Sequence, residues 1–226
     1  MIYIMSDFHL YNSTDKPMDI FGSKWKNHME KIKSNWPLSE QDTIIMPGDL
    51  SWGLKPNEAL MDFEFIEKLP GKKILIKGNH DMWWGSSKKL KELLEPYPSI
   101  DFIYNNSTEI EGIGICGTRG WDIESGKEND IRIVTNEAAR LERSILSSEA
   151  TEKIVFLHYP PVTKKKTSGP IFDIIKKYNI KRVYYGHLHG EAINNAILGE
   201  YEGVVLDIVA SDQIDFMPKT LDILNV

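Results

Sequence analysis

Five of the six histidines in this chain lie in four short polar motifs, and each motif directly follows an apolar, β-branched run. The motifs are Asp7-x-His9, Gly78-Asn79-His80-Asp81, Leu157-His158-Tyr159-Pro160-Pro161 and Gly186-His187-Leu188-His189, and a similar segment, Pro47-Gly48-Asp49, adds a carboxylate. Polar side chains that follow strands meet at the ligand-binding edge of an open α/β sheet. The pattern therefore predicts an α/β fold in which residues distant in the sequence converge on one site.

The side chains in these motifs are typical ligands of transition metals. Imidazole nitrogens mixed with carboxylate and amide oxygens suit zinc, manganese, iron or nickel rather than calcium. The candidate ligands are Asp7, His9, Asp49, Asn79, His158, His187 and His189. Because one ion takes about four to six donors, this set predicts two divalent metal ions. These ligand types do not distinguish Mn²⁺, Fe²⁺, Zn²⁺ and Ni²⁺.

Each candidate ligand also has a structural alternative. A single His9 or His158 is more often a hydrogen-bonded structural histidine. Asp7 and Asp49 could cap helices that follow their strands, and Asn79 could simply adopt a turn conformation. The occurrence of all the motifs together favours the metal site.

The order of these blocks resembles that of the calcineurin-like metallophosphoesterases, and in particular their bacterial-type predicted phosphohydrolases. The resemblance runs from Asp7 to His189 and includes all five blocks. It implies a four-layer α/β/β/α sandwich with two mixed sheets and a dinuclear metal site at the strand ends. It also implies a hydrolase that cleaves a phosphomonoester or phosphodiester through attack of a metal-bridged hydroxide on phosphorus.

The resemblance further implies a role for each motif residue. Two sets of three ligands would each hold one ion, namely Asp7, His9 and His189 for the first ion, and Asn79, His158 and His187 for the second. Asp49 would bridge the two ions. His80 would be the catalytic residue that acts on the substrate without binding metal.

One block departs from the protein serine/threonine phosphatases of this superfamily. Their Gly-Asp block continues to a second Asp and an Arg, whereas those positions here hold Trp52 and Gly53. The missing carboxylate removes one cause of a raised pKa at His80. Asp81 is adjacent in sequence, but neighbouring side chains of an extended segment point apart. The sequence therefore argues against a protein phosphatase and leaves open whether His80 is a general acid.

Four tryptophans near the motifs are candidate substrate contacts, namely Trp52, Trp83, Trp84 and Trp121. Indoles at the mouth of a pocket would stack on a nucleobase, with each stack contributing about 1–3 kcal/mol. Any one of them is more often a core residue. The sequence thus allows a nucleotide-like substrate.

Basic residues are further candidates for substrate binding. Arg119 is predicted to contact a phosphate, and its alternative is a structural pair with an acid such as Asp122. Lys164-Lys165-Lys166 follow the His158 motif and are either solvated or placed to attract phosphate.

Composition limits the class of protein. The 226 residues contain no Pro/Gly/Ser linker, which predicts one domain over 1–226. No apolar stretch is long enough for a membrane span. The first strand starts at Ile2 and leaves no cleavable signal before it, which predicts a cytoplasmic protein. The single cysteine, Cys116, is predicted to be a buried small hydrophobe.

The net charge of the chain helps to distinguish a nucleic-acid partner from a small-molecule substrate. A formal charge of −6 gives no basic surface for nucleic acid, so the predicted partner is a small-molecule phosphoester. Two alternatives remain, a metal-dependent nuclease and a non-catalytic binding protein stabilised by metal. The acidic balance argues against the first, and the complete ligand set argues against the second. The sequence leaves the oligomeric state undetermined.

Hydrophobic periodicity predicts the secondary structure. Strands are expected near 2–6, 43–47, 73–77, 101–105, 113–117, 154–158, 182–186, 203–208 and 220–225. Helices are expected near 19–35, 57–68, 86–95, 130–148 and 169–178, with Asn57 as the N-cap of the second.

Overall fold

A computed structural model describes residues 1–121, 128–165 and 169–221 of the chain. Its strands are β1 (Ile2–Ile4), β2 (Thr43–Pro47), β3 (Lys72–Ile76), β4 (Ile100–Phe102), β5 (Thr108–Ile110), β6 (Ile113–Thr118), β7 (Glu152–Leu157), β8 (Arg182–Tyr185), β9 (Gly199–Tyr201), β10 (Val204–Ile208) and β11 (Lys219–Thr220). Its α-helices are α1 (His28–Ser34), α2 (Leu60–Glu67), α3 (Ser87–Leu94), α4 (Glu128–Leu146) and α5 (Pro170–Lys177). Short 3-10 helices lie at Met18–Phe21, Ser23–Trp25, Pro56–Glu58, Gly190–Asn195 and Ser211–Gln213.

The strands form two mixed sheets. The first has the order β11-β1-β2-β3-β4, in which β1 to β4 are parallel and β11 is an antiparallel edge. The second has the order β5-β6-β7-β8-β10-β9, in which the four central strands are parallel and both edges are antiparallel. Because the parallel strands of a sheet share a direction, their carboxyl ends lie along one edge of that sheet.

Alternating side chains of the strands enter different apolar layers. In β2, Ile44 and Met46 join the cluster that contains Phe63 of α2, whereas Ile45 faces the other way. Ile45 packs in a layer shared with Phe156 of the second sheet, so this layer lies between the sheets. A third cluster joins the outer face of the second sheet to α4 and α5. The predicted α/β/β/α layering with two mixed sheets is confirmed.

The helix expected over 19–35 is wrong as a continuous element. Gly22, with φ of 127°, separates the 3-10 helices Met18–Phe21 and Ser23–Trp25. Asn27, with φ of 55°, has a left-handed backbone, so α1 begins only at His28. The left-handed region is incompatible with a continuous right-handed helix.

The N-cap predicted at Asn57 is also wrong. Asn57 lies inside the 3-10 helix Pro56–Glu58, and α2 begins at Leu60 after Ala59, whose side chain makes no capping hydrogen bond. Pro56 at the first position favours the start of the preceding 3-10 helix, because its φ is already close to helical.

Two edge strands, β5 and β9, were not predicted. Each pairs with the next strand through a two-residue turn, Glu111-Gly112 or Glu202-Gly203, and both residues of each turn have positive φ. This geometry is that of a type I′ hairpin turn, which matches the twist of the flanking strands. Of the strand predicted at 220–225, residues 222–225 lie outside the described residues.

Among the described residues, no helix combines the length and apolar character needed to cross a bilayer. Cys116 on β6 is fully buried, as predicted, and packs in the cluster beside α4 and α5.

Candidate metal centre

The predicted ligands converge at the carboxyl ends of the parallel strands. Asp7 and His9 follow β1, Asp49 follows β2, Asn79 follows β3, His158 follows β7, and His187 and His189 follow β8. The two sheets therefore each contribute ligands to one cluster. Their ends are joined by a parallel bridge between Ser6 and Ala210.

Glycines in two of the motifs let the backbone of one strand-end loop lie against the ligand carboxylate of another loop. A Cβ atom on Gly78 would lie 2.1 Å from Oδ1 of Asp49, and one on Gly186 would lie 2.2 Å from Oδ2 of Asp7. Both distances are far shorter than van der Waals contact. Any side chain at either position would displace a carboxylate of the cluster.

Four of the predicted ligands have a left-handed backbone. The φ angles are 60° at Asp7, 46° at His9, 55° at Asp49 and 70° at His187. Non-glycine residues in sparsely populated backbone regions cost about 1–3 kcal/mol each and concentrate at functional sites. This conformation turns each ligand away from the direction of its strand and toward the cluster.

The first donor group consists of Asp7, His9 and His189, whose ligand atoms all lie within 4.8 Å of one another. Nε2 of His189 lies 2.9 Å from Oδ1 of Asp7, and Nε2 of His9 lies 3.8 Å from the same oxygen. Ser6 donates a hydrogen bond to the other oxygen of Asp7. On its far side, Nδ1 of His189 lies 2.6 Å from Oδ1 of Asp212.

The second donor group is centred on His158, which joins Asp7 and Asp49 within the same 4.8 Å limit. Nε2 of His158 lies 2.7 Å from Oδ1 of Asn79. The His187 ring lies 5.1 Å from the His158 ring, measured between centroids. The structure thus brings all three side chains assigned to the second ion next to one another.

Asp49 lies between the two donor groups. Its Oδ2 is 3.3 Å from Nε2 of His158 and 3.8 Å from Nε2 of His9. Its other oxygen, Oδ1, accepts a hydrogen bond of 2.8 Å from the backbone N–H of His80. One carboxylate oxygen therefore faces both sets of imidazoles.

The two central carboxyl groups are strongly acidic despite their burial. Burial raises the pKa of Asp7, but the charge and hydrogen bond of His189 hold it below its usual range. Burial likewise opposes ionisation of Asp49, but the charge and hydrogen bond of His158 lower its pKa. Two buried carboxylates require positive charge nearby, which the imidazoles provide here and which divalent cations would provide in their place.

Two of the histidines are poised as neutral ligands. Burial lowers the pKa of His9 to about 3 and that of His187 to about 4. Metal binding requires an unprotonated imidazole nitrogen. Nδ1 of His9 is buried and has no hydrogen-bond partner among the described residues, while its Nε2 faces the carboxylates. The donor set therefore fits divalent metal ions.

His80 lies beside this cluster and not within either donor group. Its side chain is 38% exposed, and its Nε2 lies 4.0 Å from Oδ2 of Asp49. Burial, opposed by the charge of Asp49, lowers the pKa of His80 below its usual value. The imidazole contacts Trp52, with 4.1 Å between the ring centroids. An indole thus packs on His80 from the position that carries an acid in the protein phosphatases.

Asp81 does not replace the missing acid. Its Oδ2 accepts hydrogen bonds from the backbone N–H groups of Asp49 at 3.0 Å and Gly78 at 2.7 Å. Its Oδ1 accepts one from the indole of Trp83 at 3.2 Å. Burial and the charge of Asp49 raise the pKa of Asp81 to about 6. Asp81 therefore joins the loops after β2 and β3 and does not orient His80.

An open pocket of about 210 Å³ lies over the first donor group. Its base contains His9, His80 and His189. Its walls are apolar and are formed by Met18, Phe21, Trp25 and Trp52. Of the predicted substrate contacts that fall on described residues, only Trp52 lines this pocket.

Trp83 and Trp84 were candidate substrate contacts, but both lie in the core. They are 2% and 8% exposed and pack in the core cluster with Phe63. Neither reaches the pocket, because the turn after β3 directs both indoles inward. The wall residues Met18, Phe21 and Trp25 were missed, since no motif marks them. Phe21 and Trp25 lie within the helix expected over 19–35, and Met18 directly precedes it.

Arg119 forms an ion pair with Glu137, whereas the acid considered from the sequence was Asp122. Its Nη2 lies 3.5 Å from Oε1 of Glu137 on α4, and its guanidinium lies 4.6 Å from the centre of the Trp121 ring. Asp122, the alternative partner, lies outside the described residues. Arg119 therefore takes part in an ion pair at the edge of the second sheet and does not line the pocket.

Trp121 approaches the cluster from a different side. Its ring lies 5.5 Å from that of Tyr159, which in turn lies 4.1 Å from the His187 ring. Trp121 is thus separated from the ligands by Tyr159, a residue that the sequence analysis did not single out. Lys164 and Lys165 are exposed and do not line the pocket, and Lys166 lies outside the described residues.

Asp212 is a further residue of the site that the sequence motifs did not mark. A signal was present, because the polar pair Ser211-Asp212 follows the apolar end of β10 just as the recognised motifs follow their strands. The pair lacks histidine, the residue that distinguishes most of the other motifs.

Comparison with known proteins is consistent with this geometry. The family model of calcineurin-like phosphoesterases matches residues 1–191. A search of curated proteins finds no significant match.

Three of the similar solved structures come from different bacteria. A Thermus thermophilus protein, TT1561, has a TM-score of 0.60 at 15% identity, covering 91% of this chain and 86% of its own. Phosphopantetheinyl hydrolase from Mycobacterium tuberculosis has 0.57 at 14% identity, covering 92% and 88%. A protein of unknown function from Aquifex aeolicus, AQ665, has 0.53 at 20% identity, covering 96% and 94%.

At such low identity these neighbours show the shared fold alone. The family match has a wider consequence, because it extends over most of the chain and includes every block of the metal cluster. The chain therefore belongs to the calcineurin-like phosphoesterases, hydrolases that cleave phosphoester bonds and usually bind divalent metal ions.

Proposed function

We propose that this protein is a dinuclear metal-dependent hydrolase of small-molecule phosphoesters. The observation that carries the proposal is the position of Asp49, whose Oδ2 faces His158 at 3.3 Å and His9 at 3.8 Å. A carboxylate between two sets of imidazoles suits a bridging ligand of two ions. The family match independently supports phosphoester hydrolysis.

Each proposed ion has its own ligands. Asp7, His9 and His189 would hold the first ion, Asn79, His158 and His187 would hold the second, and Asp49 would serve both. Two divalent cations in such a site would activate water as the nucleophile and neutralise charge on the phosphoryl group. Imidazole nitrogen with carboxylate and amide oxygen suits Mn²⁺, which is the first cation to test.

His80 acts on the substrate in this proposal. It lies on the open side of the cluster, next to Asp49, and its side chain is 38% exposed. From there its imidazole can donate a hydrogen bond to a phosphoryl oxygen or to the leaving oxygen. Trp52 restricts the ring by packing on it. The backbone N–H of His80 donates a hydrogen bond to Asp49, which fixes the position of the His80 backbone.

The proposed substrate is a small molecule. The pocket beside His80 has a volume of about 210 Å³, below the range of about 300–1,000 Å³ that is usual for drug-sized ligands, so it takes only a compact organic group. The formal charge of −6 provides no general attraction for a polyanion. Monoester and diester substrates both fit these observations.

Elemental analysis coupled to a substrate screen tests this proposal. Purified protein reconstituted with Mn²⁺ is expected to hold two ions per chain and to turn over at least one of an aryl phosphomonoester, an aryl phosphodiester or a cyclic nucleotide. Asp49→Asn is the matched variant, which keeps the volume and removes the charge. It is expected to lose both metal and turnover. Two bound ions without turnover of any ester would contradict the proposal and favour a binding protein.

A further inference from the structure

The pocket beside His80 is apolar on its walls. Trp25 and Met18 are 3% and 4% exposed, so they form a fixed wall that is continuous with the core of the first sheet. Trp52 forms the wall nearest to His80. Among the described residues that line the pocket, the polar side chains are the imidazoles at its base. Outside this lining, the ammonium of Lys16 lies 4.8 Å from the centre of the Trp52 ring.

Phe21 completes the rim of this pocket. It belongs to the 3-10 helix Met18–Phe21, and 61% of its surface is exposed. Its neighbour Ile20 is 75% exposed but does not line the pocket. An aromatic ring held at a pocket mouth with most of its surface in water is an available contact for an apolar ligand.

The lining is poorly suited to a polyhydroxylated group. Within the part of the chain that the structure describes, it contains no hydroxyl, amide or carboxylate side chain. The indole N–H of Trp52 is directed to the sulfur of Met18, at 3.2 Å. The hydroxyls of a sugar would lose water there without gaining partners, and an unsatisfied buried polar group costs about 1–3 kcal/mol.

We propose that this pocket binds an apolar, ring-sized organic group of the substrate, next to the phosphoryl group held at the metal cluster. The inference rests on the proposed function, because it assigns the alcohol part of the phosphoester that the cluster cleaves. The base of the pocket contains His9 and His189 of the first donor group, so a ligand filling it places its phosphoryl group at those residues. His80 then lies at the ester oxygen, between the ring and phosphorus.

The apolar character of the pocket explains a feature that phosphate binding alone does not require. A phosphate group needs only cations and hydrogen-bond donors. Small-molecule sites, in contrast, are lined mainly by apolar and aromatic side chains, with few polar groups that fix orientation. The apolar contacts here come from Met18, Phe21, Trp25 and Trp52. The polar groups that fix orientation are the histidines.

Phosphonates, which are not hydrolysed, test the inference by binding alone. Methylphosphonate and benzylphosphonate carry the same anionic group and differ by one apolar ring. Calorimetry with the full chain loaded with Mn²⁺ is expected to show benzylphosphonate binding at least about tenfold more tightly, which corresponds to burial of part of a ring. Phe21→Ser is expected to reduce this preference.

Ile20→Ser is the matched control, because it changes an exposed apolar residue on the same 3-10 helix outside the pocket. It is expected to keep the preference for benzylphosphonate. Equal binding of the two phosphonates by the wild type would overturn the inference, as would equal losses in Phe21→Ser and Ile20→Ser. If the wild type still hydrolysed an aryl ester, the proposed function would stand. Absence of both hydrolysis and phosphonate binding in metal-loaded protein would overturn the two together.

Discussion

Oδ1 of Asp212 lies 2.6 Å from Nδ1 of His189, on the side of the ring opposite to Asp7. Asp212 accepts the proton of Nδ1, so Nε2, which lies 2.9 Å from Asp7, is the nitrogen that would bind a metal ion once its own proton is lost. A carboxylate behind a metal-binding histidine fixes both the tautomer and the orientation of the ring.

Asp212→Ala is therefore expected to weaken metal binding by about 10–100-fold, because the His189 ring loses its fixed orientation. Asp212→Asn keeps an oxygen acceptor for Nδ1 and is expected to recover part of the affinity. Competition with a chelator measures both effects. Asp173→Ala, at an exposed position of α5, is the control and is expected to bind metal normally. Unchanged affinity in Asp212→Ala would show that other contacts hold the ring.

Gly78→Ala tests the close approach of the loops after β2 and β3. The added Cβ would lie 2.1 Å from Oδ1 and 2.2 Å from the backbone N of Asp49. Overpacking of this kind typically costs about 1–3 kcal/mol of stability, and here it also displaces the proposed bridging carboxylate. The variant is expected to melt at lower temperature and to lose metal.

Gly85→Ala is the control for this substitution. There the nearest atom to the added Cβ is Cβ of Lys89, at 3.1 Å, so a small shift relieves the contact. Thermal melting and elemental analysis of the two variants in parallel separate a local clash from a general effect of replacing glycine. Normal metal content in Gly78→Ala would contradict the role given to this contact.

His80→Ala separates chemistry from metal binding. The side chain belongs to neither donor group, and the backbone N–H that bonds to Asp49 is retained in alanine. Loss of general acid–base help lowers rates by about 10²–10⁴-fold, so kcat is expected to fall within this range at full metal content. His158→Ala, which removes a proposed ligand, is expected to lose metal as well. Parallel losses of metal and kcat in His80→Ala would instead identify His80 as a ligand.

Cys116 is expected to be inert in the folded protein. Burial raises the pKa of its thiol to about 12, and its side chain is fully buried. Because the thiolate is the reactive form, a thiol with this pKa is about one part in ten thousand ionised at pH 8. A thiol reagent at pH 8 is expected to label one group per chain in denaturant and none in the native protein. Rapid labelling of native protein would show that β6 opens readily.

The cluster of candidate ligands was predictable because each of its parts is a local signal. A parallel strand presents its following residue at the same sheet edge as its neighbours, so apolar runs ending in Asp7, Asp49, Asn79 and His158 define one location before any contact is known. The layered α/β fold follows from the same runs, since β-branched segments that alternate with amphipathic helices have few ways to bury both faces.

Features that depend on the direction of a side chain were not predictable in this way. Trp52 and Trp83 both follow ligand motifs, yet one lines the pocket and the other is buried beneath Asp81. The expected helix over 19–35 was broken by the positive φ angles of Gly22 and Asn27, which the hydrophobic pattern does not encode.

The sequence by itself determined the order of the strands' polar ends, the chemistry of the ligands and the family. Tertiary structure alone decided that Asp212 supports His189, that Asp81 joins two loops, and that an apolar pocket opens beside His80. The physical reason is distance along the chain. Strand-end motifs act through local backbone geometry. These contacts instead depend on the side-by-side pairing of β8 with β10 and of β2 with β3, and the pocket depends on loops from both sheets.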